Sequence, residues 1–217
     1  MTHLQSELKS LKTDIIEMWE LVISQLDKSL ISLKTFDKDL SREVISNEKR
    51  VNSYELKIDR DCENIFALFN PVAVDLRMVL ATLKINSNLE RIGDIAEGIS
   101  KLITNEKESF DETLLECTRF QVMFEASIHI VKDVLMAFEK EDTQLARSIF
   151  KKDELLDEIN AEAHQFITRY IKDHLDKTGQ ALNVLSVIRK LERVGDQGKN
   201  IAEEIIFYLE AKVLKHK

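Results

Sequence analysis

Two short acidic motifs are the residues of this chain whose types and spacing could do chemistry. The string LERIGD at residues 89–94 returns as LERVGD at residues 191–196. In each copy a glutamate and an aspartate are four residues apart: Glu90 with Asp94, and Glu192 with Asp196. In a helix such residues share a face, about 5–6 Å apart at Cβ. Two carboxylates this close are tolerated when they are solvated, when one is protonated or when a cation lies between them.

Glycine is concentrated around these motifs. Four of the five glycines in the chain lie in or just after the two copies: Gly93, Gly98, Gly195 and Gly198. Glycine inside a helix costs about 0.8–1.0 kcal/mol relative to alanine. We therefore expect these positions to be sites of close backbone approach between helices.

Acidic and amide side chains recur at matching positions ahead of each motif. The steps of four, three and four place them on one helix face in each half. The two sets are 105 residues apart: Glu48, Asn52, Glu55 and Asp59, then Asp153, Asp157, Asn160 and His164. Alone, each set is typical of a solvated helix face. Beside the motifs, we expect most of these residues to join metal sites whose ligands are Glu90, Asp94, Glu192, Asp196, Glu48, Asn52, Glu55, Asp153, Asp157 and Asn160.

Carboxylate ligands indicate which cations would fit. Oxygen-rich sites suit hard cations such as magnesium, calcium, manganese or ferric iron, whereas zinc in structural sites prefers Cys and His. We expect iron, with manganese, magnesium and zinc as alternatives. A di-iron oxidase of the ferritin type would use Glu-x-x-His motifs. None of the five histidines has a glutamate three residues before it, and no nucleophile motif is present, so we do not expect an enzyme. A metal-independent helical adaptor with acidic partner-binding faces is the other alternative.

Composition sets limits on class and partners. The chain has 217 residues, 44% of them hydrophobic, which is enough for a substantial core. Its net charge of −8 argues against nucleic acid as a partner, because phosphate binding needs clustered Lys and Arg. Cys62 and Cys117 have no metal-finger spacing, which fits free thiols in a reducing compartment. Without a signal peptide or an apolar run long enough to insert into a membrane, we expect a cytoplasmic protein.

Helical periodicity explains how the motifs are positioned. Apolar residues recur at steps of three and four along most of the chain, with one proline and few glycines to interrupt them. This pattern predicts six long helices, three in each half, over Thr2–Thr35, Lys38–Leu68, Val72–Asn105, Glu112–Lys140, Asp142–Asp173 and Thr178–Lys215. Asp37 and Asp39 can cap the second helix, and Asn70-Pro71 ends it. The polar stretch 105–111 predicts a division into residues 1–106 and 107–217.

These motifs resemble those of the PhoU family of phosphate-transport regulators. The resemblance rests on LERIGD and LERVGD, on the sequence NIAE after the second copy, and on PVAVDLR at residues 71–77. It extends over essentially the whole chain. The family's acidic pattern in the preceding helix is matched by Glu48, Asn52 and Glu55, with Asn52 in place of an acid. The chain also departs from the family at Ile95 and Gln197, where a histidine often follows the aspartate.

The resemblance implies an all-α protein of two tandem three-helix bundles, with motifs able to bind multinuclear metal clusters. It further implies a negative regulator of the phosphate-starvation response. In that role the protein would link the ATPase subunit of the high-affinity phosphate ABC transporter to a sensor histidine kinase. We expect contact with these proteins rather than insertion into the membrane, and a homodimer stays possible.

Overall fold

Helices are the only regular secondary structure in residues 2–214, the part of the chain that the computed structural model describes. A single 3-10 turn, Leu175–Lys177, precedes the last helix. The α-helices are α1 (His3–Thr35), α2 (Lys38–Phe69), α3 (Ala73–Asn105), α4 (Glu112–Cys117), α5 (Phe120–Lys140), α6 (Thr143–Asp173) and α7 (Thr178–Glu210). The prediction of an all-α fold is confirmed.

Aspartate side chains cap α2 and α6, the helices that carry the acids ahead of each motif. Asp37 precedes α2, and its carboxylate accepts hydrogen bonds from the N–H groups of Asp39 and Leu40, both at 3.0 Å. Asp142 caps α6 in the same way. Each cap satisfies backbone donors that have no partner inside the helix. Asp39 lies in the first turn of α2 rather than at the cap.

The fourth predicted helix is wrong in one respect, because it breaks into α4 and α5. Arg119 adopts the left-handed conformation, with φ of 54°, between the two helices. The buried hydroxyl of Thr118 donates to the carbonyl of Leu114 at 2.8 Å and so satisfies a carbonyl where the helix ends. Neither glycine nor proline marks this break, so helical periodicity alone did not predict it.

The last helix also ends earlier than predicted. Ala211 takes a left-handed conformation with φ of 56°, and its N–H donates to the carbonyl of Phe207 at 3.0 Å. This closes α7 at Glu210, and residues 211–214 are not helical. The predicted end at Lys215 lies outside the described residues.

The helices form two three-helix bundles that share a long contact. One bundle contains α1, α2 and α3, and the other contains α5, α6 and α7 with the short α4 at its side. The two motif-bearing helices, α3 and α7, pack against each other. Trp19 of α1 is fully buried and its indole N–H donates to the carbonyl of Val131 in α5 at 3.2 Å. The motifs are therefore held on rigid neighbouring helices.

Membrane insertion has no candidate segment among residues 2–214. No helix in this range combines the length and the apolar character that a bilayer span requires.

The backbone of α7 packs closely against the Ile130 side chain of α5 at Gly198. A methyl group at this position would clash with that side chain, which is itself buried. Gly179, near the start of α7, has no such neighbour within 4 Å. Lack of room for a side chain, rather than flexibility, thus explains the glycine at position 198.

We expect Gly198→Ala to lower the free energy of unfolding by about 1–2 kcal/mol. Overpacking costs about 1–3 kcal/mol, and overlap with a buried β-branched side chain belongs in the upper part of that range, about 2–3 kcal/mol. Replacing a helical glycine by alanine returns only about 1 kcal/mol. Gly179→Ala is the matched control, and should be neutral or stabilising. Urea denaturation measures both changes, and equal effects of the two substitutions would contradict the close approach.

Candidate metal centre

Buried apolar residues orient each motif. Leu89 and Ile92 on α3, and Leu191 and Val194 on α7, have no exposed surface and fix the rotation of their helices. This rotation turns the motif glycine toward the neighbouring helix of the same bundle, α2 in the first half and α6 in the second. The acids on either side of the glycine then lie at the border of the helix pair.

Glu48 of α2 lies directly over Gly93. A methyl group on Gly93 would lie 3.1 Å from Glu48 Oε2 and 3.1 Å from Val51 Cγ1. The absence of a side chain at this glycine therefore makes the space that the glutamate occupies. The carboxylate is placed over the turn of α3 that carries Glu90 and Asp94.

Glu48 is buried without a partner. Its residue surface is only 5% exposed, and neither carboxylate oxygen has a hydrogen-bond partner. Burial raises its pKa from 4.5 to about 7, and the charges of Asp94, Glu97 and Glu90 add to this increase. The nearby amide of Gln25 favours the charged form, but it makes no hydrogen bond of good geometry. Unpaired buried charge is costly, so this carboxylate needs a proton or a cation.

The pKa values of Glu90 and Glu55 are both raised, in part by the charge of Asp94. Burial raises the pKa of Glu90, Asp94 and Glu55 raise it further, and Arg91 opposes them. Burial also raises the pKa of Glu55, with Asp59 and Asp94 contributing. We call Glu48, Glu55, Glu90 and Asp94 the first acidic cluster. Asp94 is exposed at its edge, and the predicted ligand Asn52 is exposed on α2.

The second half repeats the arrangement of glycine and acid. Asp153 of α6 is 2% exposed, and a methyl group on Gly195 would clash with its Oδ1 and lie 2.9 Å from Leu156 Cδ1. Burial raises the pKa of Glu192, and the charges of Asp196, Asp157 and Asp153 raise it further. We call Asp153, Asp157, Glu192 and Asp196 the second acidic cluster. Asp157 is exposed and Asn160 is half-buried.

A lysine distinguishes the second cluster from the first. Lys199 Nζ lies 2.5 Å from Asp153 Oδ2 and 2.8 Å from Asp196 Oδ1. Burial raises the pKa of Asp153, whereas Lys199 acts in the opposite direction. For Lys199, burial would lower the pKa, but the two aspartates outweigh it and the pKa is raised. The lysine is therefore firmly charged and lies among the acids.

Sequence reasoning missed three residues of these clusters. Gln25 lies inside the apolar face of α1 and gave no signal. Glu97 lies three residues after Asp94 in the sequence but was not predicted as part of the site. Lys199 is the residue that corresponds to Glu97 in the second motif, and comparison of the two copies would have shown the reversal of charge.

The ligand atoms of the first acidic cluster are of the type that hard cations prefer. This cluster offers carboxylate oxygens only, including the two unpartnered oxygens of Glu48. In residues 2–214, no three His, Cys, Asp or Glu side chains are already grouped as a metal-binding set. Binding would thus draw these carboxylates together. The second cluster fits a cation less well, because an ammonium group is already paired with two of its acids.

A groove of mixed charge separates the two motifs. It has a volume of about 390 Å³ and lies between α3 and α7, with Asp94 and Glu97 on one wall and Lys190 and Arg193 on the other. The arginine of the first motif, Arg91, also lines this groove, on the α3 side with Asp94. Basic groups therefore balance part of the exposed acidic charge.

Comparisons with known proteins agree with this architecture. The family model described as "PhoU domain" matches twice, at residues 15–103 and 120–205, which confirms the internal repeat. The predicted division between residues 106 and 107 falls between the two matches and stays a prediction.

Relatives that match this chain over nearly its whole length are named phosphate-specific transport system accessory proteins. The phosphate-specific transport system accessory protein PhoU homolog 1 of Thermotoga maritima is 32% identical over 216 residues, covering 98% of this chain and 91% of the relative. The phosphate-specific transport system accessory protein PhoU of Escherichia coli K12 is 32% identical over 212 residues, covering 97% of this chain and 87% of the relative.

Solved structures agree over nearly the whole fold. The crystal structure of PhoU from Pseudomonas aeruginosa has a TM-score of 0.90 at 27% identity, and covers 97% of this chain and 100% of that one. The phosphate transport system regulatory protein PhoU from Streptococcus pneumoniae has a TM-score of 0.85 at 26% identity, with 99% and 100% covered. On the repeated domain and these near-complete similarities, the chain belongs to the PhoU family.

Proposed function

We propose that this protein is a negative regulator of the phosphate-starvation response. In this proposal it couples the high-affinity phosphate ABC transporter, through the ATPase subunit, to a sensor histidine kinase. The observation that carries the proposal is the match of both halves to the PhoU domain, in a chain whose full-length relatives are accessory proteins of phosphate-specific transport systems. The role is regulatory rather than enzymatic.

The proposed place of action is the cytoplasmic face of the membrane. The transporter's ATPase subunit and the kinase domain would both be reached there by a protein that contacts them directly. The helices present exposed faces with many charged side chains, and the apolar residues Leu68, Val72 and Val74 are exposed at the end of the first bundle. Protein contacts, rather than lipid or nucleic acid, fit this surface and the net charge of −8.

We further propose that the first acidic cluster binds a hard metal ion, with iron as the first choice and manganese or magnesium as alternatives. Zinc is the least suited, because the cluster offers no Cys or His ligand. Glu48 carries this proposal, because its two buried oxygens have no partner, one of them lies against the motif glycine Gly93, and the charges of Asp94 and Glu90 act on it. Glu55 would contribute from about two turns further along α2, and Asn52 only by turning inward from its exposed position.

The chain's own residues have a defined role in such a site. Gly93 leaves room for Glu48, and the apolar contacts of α2 and α3 hold the two helices in register. A bound cation would supply positive charge that offsets the repulsion among the carboxylates. Binding would therefore stabilise the contact between α2 and α3.

Loss of the protein tests the regulatory role. We expect deletion of its gene to derepress phosphate-uptake genes in cells grown at high phosphate, because the negative signal to the kinase is lost. Transcript measurement at high and low phosphate provides the readout, and a plasmid copy of the wild-type gene should restore repression. Expression that phosphate leaves unchanged in both the parent and the deletion strain would refute the proposal.

Neutralising the two acids of the first motif tests whether they bind a metal ion. We expect Glu90→Gln with Asp94→Asn to lose the bound metal of protein purified without chelator, while circular dichroism stays helical. Elemental analysis measures the metal, and manganese at a hundredfold excess over Kd should add about 2.7 kcal/mol of stability to the wild type only.

The matched control removes two acids at the same spacing from an exposed face. Glu154→Gln with Glu158→Gln on α6 should leave the metal content unchanged. If the motif variant retains all its metal, the proposed site is wrong. If the wild type binds none and neutralisation stabilises it, the acids are a partner-binding surface, as in the adaptor alternative.

Glu48 makes the metal-free protein sensitive to pH. Its pKa is about 7 in the folded state and near 4.5 when unfolded, so the folded protein binds more protons between these values. The free energy of unfolding therefore falls as pH rises through this window, by about 3 kcal/mol at pH 8. We expect Glu48→Gln to remove this loss. Denaturation of chelator-treated protein from pH 4.5 to 8 measures it.

An exposed glutamate of the same helix is the control. Glu43→Gln removes a carboxylate paired with Lys28 at the surface and should leave the slope of stability against pH nearly as in the wild type. A Glu48→Gln variant that follows the wild-type slope would show that this carboxylate is not the unpaired buried group.

A further inference from the structure

The two acidic clusters differ by a reversal of charge at one matching position. Three residues after the motif aspartate, α3 carries Glu97 and α7 carries Lys199. Lys199 contacts Asp153, and the negative charge of Glu97 acts on Glu48 and raises its pKa. The repeated fold thus carries opposite charges at one matching position.

Lys199 pairs with the buried acid of the second half, Asp153, whereas the buried acid of the first half, Glu48, has no such partner. Asp153 and Glu48 occupy the same place over the motif glycine, and both are almost completely buried. In the second half the ammonium bridges Asp153 and Asp196, at 2.5 and 2.8 Å, and the lysine side chain is only 19% exposed. In the first half Lys101 pairs with Glu97, not with Glu48, from a side chain that is 54% exposed.

We propose that Lys199 is a built-in cation that replaces a metal ion in the second acidic cluster. This inference rests on the metal site proposed for the first half. It departs from the expectation that both motifs bind metal. The protein would then have one half that depends on an external cation and one half that its own chain neutralises.

Electrostatics explains why the lysine would exclude a metal. The ammonium group is a compact point charge that already lies between two carboxylates. An incoming cation would have to displace it, and the displaced charge would remain nearby on the same helix and repel the ion. One free oxygen, Asp153 Oδ1, remains without a partner and would be available to a metal only after the lysine has moved.

Removal of the lysine tests the proposal. We expect Lys199→Met to hold about twice the manganese of the wild type after equilibration and desalting, because the second cluster becomes available. Lys132→Met, which breaks an exposed ion pair with Asp27, is the control and should hold the wild-type amount. An unchanged manganese content in Lys199→Met would overturn the proposal.

Metal-free stability provides a second readout. With chelator present, Lys199→Met should lower the Tm by several degrees, because Asp153 is left buried without its partner. Asp153→Asn in the same chain should recover most of that loss. If the double variant is no more stable than Lys199→Met alone, the lysine does not act by neutralising Asp153 and the proposal fails.

The reverse exchange covers the case in which Lys199→Met does not fold. Glu97→Lys places an ammonium at the matching position of the first half and should abolish manganese binding, whereas Glu97→Gln should retain most of it. Retention of manganese by Glu97→Lys would count against the proposal. Comparison of manganese content between the wild type and the Glu90→Gln, Asp94→Asn variant tests the first metal site by itself. Failure of that site is therefore distinguishable from failure of the proposal for Lys199.

Discussion

The arrangement of this protein depends on a carboxylate buried over a helical glycine. In each bundle one acid from the middle helix, Glu48 or Asp153, occupies space that a methyl group at Gly93 or Gly195 would fill. Burial without compensation is unfavourable for a charged group, so the contact between these helices depends on what neutralises the acid. The surrounding motif acids increase that requirement, because they add negative charge where solvent screening is reduced.

Two solutions to one electrostatic problem follow from the same fold. The second bundle brings Lys199 to its buried aspartate, whereas the first leaves both oxygens of Glu48 without a partner. In the proposed account, the first half needs a cation or a proton at Glu48, whereas the second half supplies the ammonium of Lys199 to Asp153 from its own chain. The shared contact between α3 and α7 offers a direct route for changes in the first bundle to reach the second.

Much of this architecture was predictable from the sequence, because long amphipathic helices and a repeated motif leave few alternatives. Spacing placed Glu48 and Asp153 at equivalent positions and beside the motifs. The break at Arg119 was not predictable, since it is a left-handed backbone conformation without glycine or proline. Nor was the role of Lys199, which depends on the direction of one flexible side chain, or that of Gln25, which lies within an apolar helix face. Pairwise contacts between helices decide such details, and periodicity does not encode them.

We propose that the two related clusters are neutralised in different ways, one by a bound ion and one by a lysine. Anomalous diffraction at the manganese edge, from crystals of wild-type protein grown with that metal, tests this difference. We expect an anomalous peak among Glu48, Glu90 and Asp94. Beside Asp153 and Asp196 we expect the Lys199 ammonium and no peak. Peaks of equal height at both clusters, or a peak at the second cluster alone, would contradict the proposal.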